Sequence, residues 1–180
     1  MTYSLIGVTV FVYLLQLASQ AFLKFDFPVG LLAKSNDLIR DGQLWRLLTP
    51  ALVHGGIAHI GFNMYALFIF GVGLERAFGH WRFLLLYALG AFAGNVMSFL
   101  FTTGVSVGAS TAIFGLIGAE LVFLIQNRRL FAGQFRSAIG NVIFIIFVNL
   151  FLGLAPSIDN WGHIGGLVGG LMFASFAGPL

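Results

Sequence analysis

A bundle of six membrane-spanning helices is the fold class this sequence predicts, and three observations predict it. The 180-residue chain is 59% hydrophobic and only 8% charged, with a mean hydropathy of +0.98. Six apolar runs approach the about 20 residues a helix needs to cross a bilayer. None of them shows the alternation of a transmembrane strand. Soluble domains carry about a quarter charged residues, and six acids with nine bases cannot coat a water-facing surface of this size. A soluble domain, a disordered chain and a nucleic-acid binder are thereby excluded. The length suits one domain, so residues 1–180 are expected to form a single all-α polytopic unit in the lipid bilayer.

The first run, 4–23, ends at Lys24. It is long enough to span and no basic segment precedes it, so no cleavable leader is expected. A long first loop follows, with Lys24, Lys34, Arg40 and Arg46 against Asp26, Asp37 and Asp41. Pro28 and Pro50 bracket apolar stretches in it, which suits a loop lying in the membrane interface. The second run, 57–74, leads into a loop with Arg76 and Arg82, and the third, 83–101, into a loop without Lys or Arg. The fourth, 110–125, precedes Arg128, Arg129 and Arg136. The fifth, 138–155, is followed by an uncharged-by-base loop near 156–160, and the sixth is 161–179. The short loops thus hold five basic residues on one side and none on the other; counting the first loop narrows this to five against four. The positive-inside rule places both termini in the cytoplasm and the first loop outside. The net charge of +3 reflects these loop residues rather than a phosphate-binding face, and without cysteine there is no disulfide and no thiolate chemistry.

Strongly polar groups inside spans are expensive and mark function by default. The second, fourth and sixth runs begin on the same side of the membrane, because they lie an even number of crossings apart. Near their starts stand His54, His59 and Asn63 in HGGIAHIGFN, Ser110 in GAS, and His163 in NWGHIGG. Parity alone brings a hydroxyl, imidazoles and an amide to one leaflet. A serine hydroxyl needs an adjacent base to act as a nucleophile, and neutral imidazole supplies one. Ser110 follows Gly108 at a helix start, where an unpaired backbone N–H at the positive dipole end suits an oxyanion. His59 and Asn63 share a helix face by their i, i+4 spacing; His54, five residues before His59, belongs at the helix entrance, nearer water. His163, Gly166 and Gly170 also share a face, and glycines there let another helix backbone approach. Gly115, Gly118 and Ala119 are the small partners offered by the fourth run. Asp159, four residues before His163, could orient it as a third member, although the fifth loop suits it better.

At these residues the chain resembles the rhomboid intramembrane serine proteases. The family pattern G-x-S-G corresponds to GAST at 108–111, H-x-x-x-N to HIGFN at 59–63, and A-H-x-x-G-x-x-x-G to GHIGGLVGG at 162–170. Trp45-Arg46 matches the family's W-R element, and GVGLERAFG with Glu75 resembles the segment ending its second helix. The resemblance implies a Ser110–His163 dyad, with Ser110 as nucleophile and His163 as base. It implies oxyanion stabilisation by His59, Asn63 and the Ser110 backbone. It also implies transmembrane protein substrates, opened near the outer leaflet of a bacterial-type cell membrane, and no cofactor or metal. Two departures stand out: Thr111 where the pattern has Gly, and Phe114 where members often have Tyr, which can stack on His163 without a hydroxyl. Only the six-helix core of the family is expected here, and the pattern leaves the oligomeric state open. Glu75, 12 residues past Asn63, falls about 18 Å further along a helix and is read as structural. Blander readings stay open: Ser110 as a helix cap, His59 and Asn63 as cross-helix bonds, Trp45-Arg46 as an interfacial anchor. So do two other functions: a catalytically weak relative that grips client helices, and a three-histidine metal site or small transporter. Against the last stand the missing H-E-x-x-H motif and the absence of an obvious pseudo-repeat.

Overall fold

The computed structural model describes residues 1–155 and 158–178, and these are mostly helical with no named strand among them. Six long helices dominate: α1 (Thr2–Leu23), α2 (Ile57–Phe78), α3 (His80–Phe101), α4 (Ser110–Gln126), α5 (Phe135–Leu152) and α6 (Asn160–Phe176). α1 to α4 each cover one expected apolar run; α5 stops at Leu152, short of the expected 155, where the chain turns at Gly153, and α6 stops at Phe176, short of the expected 179. The end of the sixth run at 179 and the fifth-loop positions 156 and 157 lie outside the described residues.

Several helices overrun their apolar segments. α2 carries Glu75 and Arg76 and stops only at Gly79, whose positive φ of 75° breaks the helix before α3 begins at His80. The expected second loop shrinks to that one glycine, because charged residues at a helix end can stay helical while their heads reach water. Glu75 ties this corner to the start of α1: it accepts from the Thr2 N–H at 2.8 Å and the Thr2 hydroxyl at 2.7 Å, and pairs with His80 Nδ1 at 2.5 Å.

The first loop is a folded cap. It contains short helices at Phe27–Leu32 and Asn36–Arg40 and 3-10 turns at Leu44–Leu47 and Thr49–Leu52. Arg46 is buried and holds the cap from within, donating to the Ala33 carbonyl at 2.7 Å, the Gly30 carbonyl at 2.8 Å and Gln43 Oε1 at 2.8 Å. Trp45 lies half-exposed and donates from its ring N–H to the Leu31 carbonyl. Lys34 is fully buried, and its ammonium donates to the Thr102 carbonyl, the Thr102 hydroxyl and the Gly104 carbonyl at 3.0–3.2 Å. Burial pulls the Lys34 pKa below its ordinary value, and the Asp159 charge offsets part of this. The Lys34–Ser106 backbone bridge adds to the same clamp between the first and third loops.

The densest packing joins α3, α4 and α6. Glycine makes it possible. A Cβ on Gly90 of α3 would stand 3.0 Å from Gly115 Cα of α4; one on Gly166 would stand 2.0 Å from the Thr111 carbonyl oxygen, and one on Gly170 1.8 Å from that of Gly115. Backbones touch there with no side chain between them. α5 stands outside the trio, with Val142 its only buried residue.

Candidate active site

The segment leading into α4 presents Ser110 through a strained turn. Gly108 has φ of 122°, a region where other residues are disfavoured. A Cβ there would also lie 2.7 Å from His59 Cε1 and Nε2, so conformation and space both require glycine. The Gly108 N–H donates to the Pro50 carbonyl at 2.9 Å, and the Ala109 N–H donates to His54 Nε2 at 3.3 Å. α4 then starts at Ser110, whose N–H finds no acceptor among the described residues, as expected for a first helical residue.

His163 Nε2 lies 2.9 Å from Ser110 Oγ. The imidazole is buried and stacks on Phe114, with centroids 4.4 Å apart and planes 8° from parallel. The contacts of Gly166 and Gly170 with the α4 backbone fix the separation of the two helices, and hence of the two side chains. His163 Nδ1 has no partner among the described residues. Asp159 does not supply one: its Oδ1 caps α6 by accepting from the Gly162 N–H at 2.9 Å, and its Oδ2 accepts from Ser98. The possible third member is therefore a helix cap, because an Asp at this position meets unpaired N–H groups of its own helix first.

His59 comes next. Its Nδ1 faces the Gly55 N–H at 3.4 Å, which leaves the ring proton on Nε2, the edge turned to Gly108. Asn63 is buried and spends one amide hydrogen on the His59 carbonyl at 2.9 Å. His54 differs from expectation. It is not near water but 2% exposed, packed edge-on against His59 at 5.1 Å. Burial and the neighbouring His59 push its pKa down to about 3, against a smaller opposing pull from the Leu52 backbone. A neutral ring is what the Ala109 N–H needs as acceptor, and that bond explains its inward position. Among the described residues, no three His, Asp or Glu side chains converge to hold an ion.

Sequence reasoning overlooked Gln16, which bonds the His54 backbone, and Lys34 and Ser98, which secure the loops around Asp159. Gln16 offered a signal, being a carboxamide inside an apolar run; Lys34 offered none, since a loop lysine reads as solvated.

Helices of spanning length, apolar exteriors and an enclosed polar cluster define an integral, multi-pass membrane protein with the rhomboid fold. The Rhomboid domain family model matches residues 41–179. The chain is 43% identical over 178 residues to Rhomboid protease GluP of Bacillus subtilis (strain 168), covering 98% of this chain and 34% of that protein. It is 41% identical over 136 residues to RHOMBOID-like protein 1 of Arabidopsis thaliana, covering 75% and 35%. With RHOMBOID-like protein 9, chloroplastic, of the same plant it shares 38% over 149 residues, covering 82% and 34%. This chain belongs to the rhomboid family, and it spans about a third of the length of these relatives.

Proposed function

We propose that residues 1–180 form a single protease domain, a serine endopeptidase that cleaves transmembrane or juxtamembrane segments of membrane-anchored proteins without a cofactor or metal. The observation that carries this reading is the 2.9 Å contact between Ser110 Oγ and His163 Nε2. The mechanism requires Nε2 to accept in that contact, with the ring proton on Nδ1. Ser110 Oγ attacks the scissile carbonyl carbon as its proton passes to Nε2; the imidazolium then protonates the leaving amide nitrogen. Water attacks the acyl-enzyme with His163 again as base, and the ester bond to Ser110 breaks. Phe114, flat beneath the imidazole, restricts its tilt in a dyad whose Nδ1 has no carboxylate partner among the described residues.

The developing oxyanion accepts from the Ser110 N–H and from His59 Nε2–H, with the second amide hydrogen of Asn63 as a further donor. Gly108 admits His59 to that position, while His54 holds the Ala109 N–H. Trp45, Arg46 and Glu75 act at a distance, through the cap and the α1–α2 corner. The distribution of short-loop Arg residues supports cytoplasmic termini and a site toward the outer leaflet of a cell membrane. The kinship with GluP, named as a rhomboid protease, supports the activity and a bacterial-type inner membrane.

Cleavage of a reporter transmembrane substrate by wild type, Ser110→Ala and His163→Ala tests the mechanism. Both variants are expected to fold and to lose activity by roughly a thousandfold or more, and chelators should have no effect. A fluorophosphonate should label wild type and not Ser110→Ala. Full activity in Ser110→Ala would refute the serine mechanism, whereas no cleavage by wild type would favour the reading as a client-binding relative.

A further inference from the structure

α1 meets the candidate site through one side chain. Its buried residues Thr2, Thr9, Tyr13 and Gln16 form a stripe, and Gln16, at 1% exposure, ends it under the first loop. The Gln16 carboxamide grips the His54 backbone from both sides. Nε2 donates to the His54 carbonyl at 3.0 Å, and Oε1 accepts from the His54 N–H at 3.0 Å. The other amide hydrogen goes to Asp26 Oδ2 at 2.9 Å, an oxygen that Gln20 also binds at 2.8 Å. Asp26 in turn caps the first short helix of the loop through the Val29 N–H at 3.0 Å. A cavity of about 330 Å³ opens beside Gln16, Asp26 and His54.

His54 is where this network branches. Its ring accepts from the Ala109 N–H, one residue before Ser110, while the next residue, Gly55, directs its N–H at His59 Nδ1. We propose that Gln16 is a positioning residue of the active site: by clamping the backbone of His54, it aligns the turn that presents Ser110 and sets the tautomer of His59. The proposal rests on the protease reading above. Releasing the His54 backbone loosens both arms together. The Ala109 N–H loses its acceptor, and His59 becomes free to carry its proton on Nδ1, which turns Nε2 from donor to acceptor and removes it from the oxyanion site. Gln16 touches no substrate in this scheme. It acts through the peptide it holds, as supporting residues do when they fix the geometry of reacting groups.

The test is cleavage of a reporter transmembrane substrate by the full chain in proteoliposomes, with kcat and KM separated. Wild type, Ser110→Ala, Gln16→Met, Gln16→Glu and Gln20→Met are compared, and the His59 ring nitrogen shifts are recorded by NMR in the resting protein. Gln16→Met is expected to lose roughly 10- to 100-fold in kcat with KM within about twofold, and its His59 signals should move toward a tautomer mixture. Gln16→Glu keeps an acceptor for the His54 N–H but turns an oxygen towards the His54 carbonyl and Asp26 Oδ2, so it should lose at least as much kcat as Gln16→Met. Gln20→Met, which loses a bond to Asp26 but none to His54, should match wild type. Should Gln16→Met fail to fold, Gln16→Glu decides, with both a kcat loss and a tautomer shift required of it. Wild-type kcat in the deciding variant, a loss confined to KM, an equal loss in Gln20→Met, or an unchanged His59 tautomer in an impaired Gln16 variant overturns the positioning role. Activity in Ser110→Ala would instead remove the serine mechanism, and the resting-state tautomer would still decide whether Gln16 controls His59.

Discussion

Two of the helices packed on α4 hold it in opposite ways. On one side α6 meets it backbone to backbone: Gly166 against the Thr111 carbonyl, Gly170 against that of Gly115, and Gly118 against Leu167. On the other side α5 buries Val142 alone and turns Ile143, Phe144, Phe147, Phe151 and Leu152 outward. The difference follows what each contact must do. A hydrogen bond between side chains on two helices requires their axes to be held within tenths of an ångström, and main-chain contact allows little give. α5 contributes no side chain to the Ser110–His163 pair, so lipid can take the place of protein along most of its surface.

The comparison breaks most visibly at the glycines. Gly170→Leu and Gly166→Leu should abolish cleavage and destabilise the fold by about 3 kcal/mol or more, at the upper end of overpacking costs. Reporter assays and thermal unfolding in detergent would show it, and wild-type behaviour in both variants would mean the α4–α6 contact is not what sets the dyad. Phe114→Ala comes second. It removes the plate under His163, and a loss of about tenfold in kcat is expected together with about 3 kcal/mol of stability. Phe114→Tyr should retain activity, and a collapse there would argue against simple stacking.

A smaller effect should come from pH. The folded protein keeps His54 near pKa 3, against an ordinary value of 6.5. Its contribution is complete above 6.5 and is lost progressively as pH falls toward 3, because the unfolded chain takes up a proton that the folded one refuses. His54→Gln, whose carboxamide can still accept from the Ala109 N–H, should flatten that part of the stability–pH curve; an unaltered slope would contradict the assignment. The smallest change is expected on α5. Phe147→Ala, at a side chain 66% exposed, should move stability by less than about 0.5 kcal/mol, and a large loss would mean that α5 is held by protein after all.

Much of the fold was legible because the bilayer imposes a simple code. Low charge, apolar runs of spanning length and a parity argument were enough to expect six helices and to bring His59, Ser110 and His163 to one side. Helix ends were less legible, as Glu75 and Arg76 show: charged residues continue α2 to Gly79 because a terminal turn can keep its hydrogen bonds while its charges reach water. The interior of the first loop was illegible. Lys34 counted only as a loop charge and Arg46 as an interfacial anchor or family element, yet both are buried, because irregular backbone around the cap leaves carbonyls that their long cationic side chains reach.

Residue chemistry and spacing by themselves therefore determined the class of protein, its membrane spans and the set of groups that share one depth. Only the tertiary structure decided which of those groups touch. The approach of Ser110 to His163 depends on carbonyls of α4 meeting glycines of α6. The inward turn of His54, the bond from Ser98 to Asp159 and the reach of Gln16 into the site depend on partners 38 to 61 residues distant in the chain. Local periodicity carries no information about such pairs; the packing of whole helices creates them.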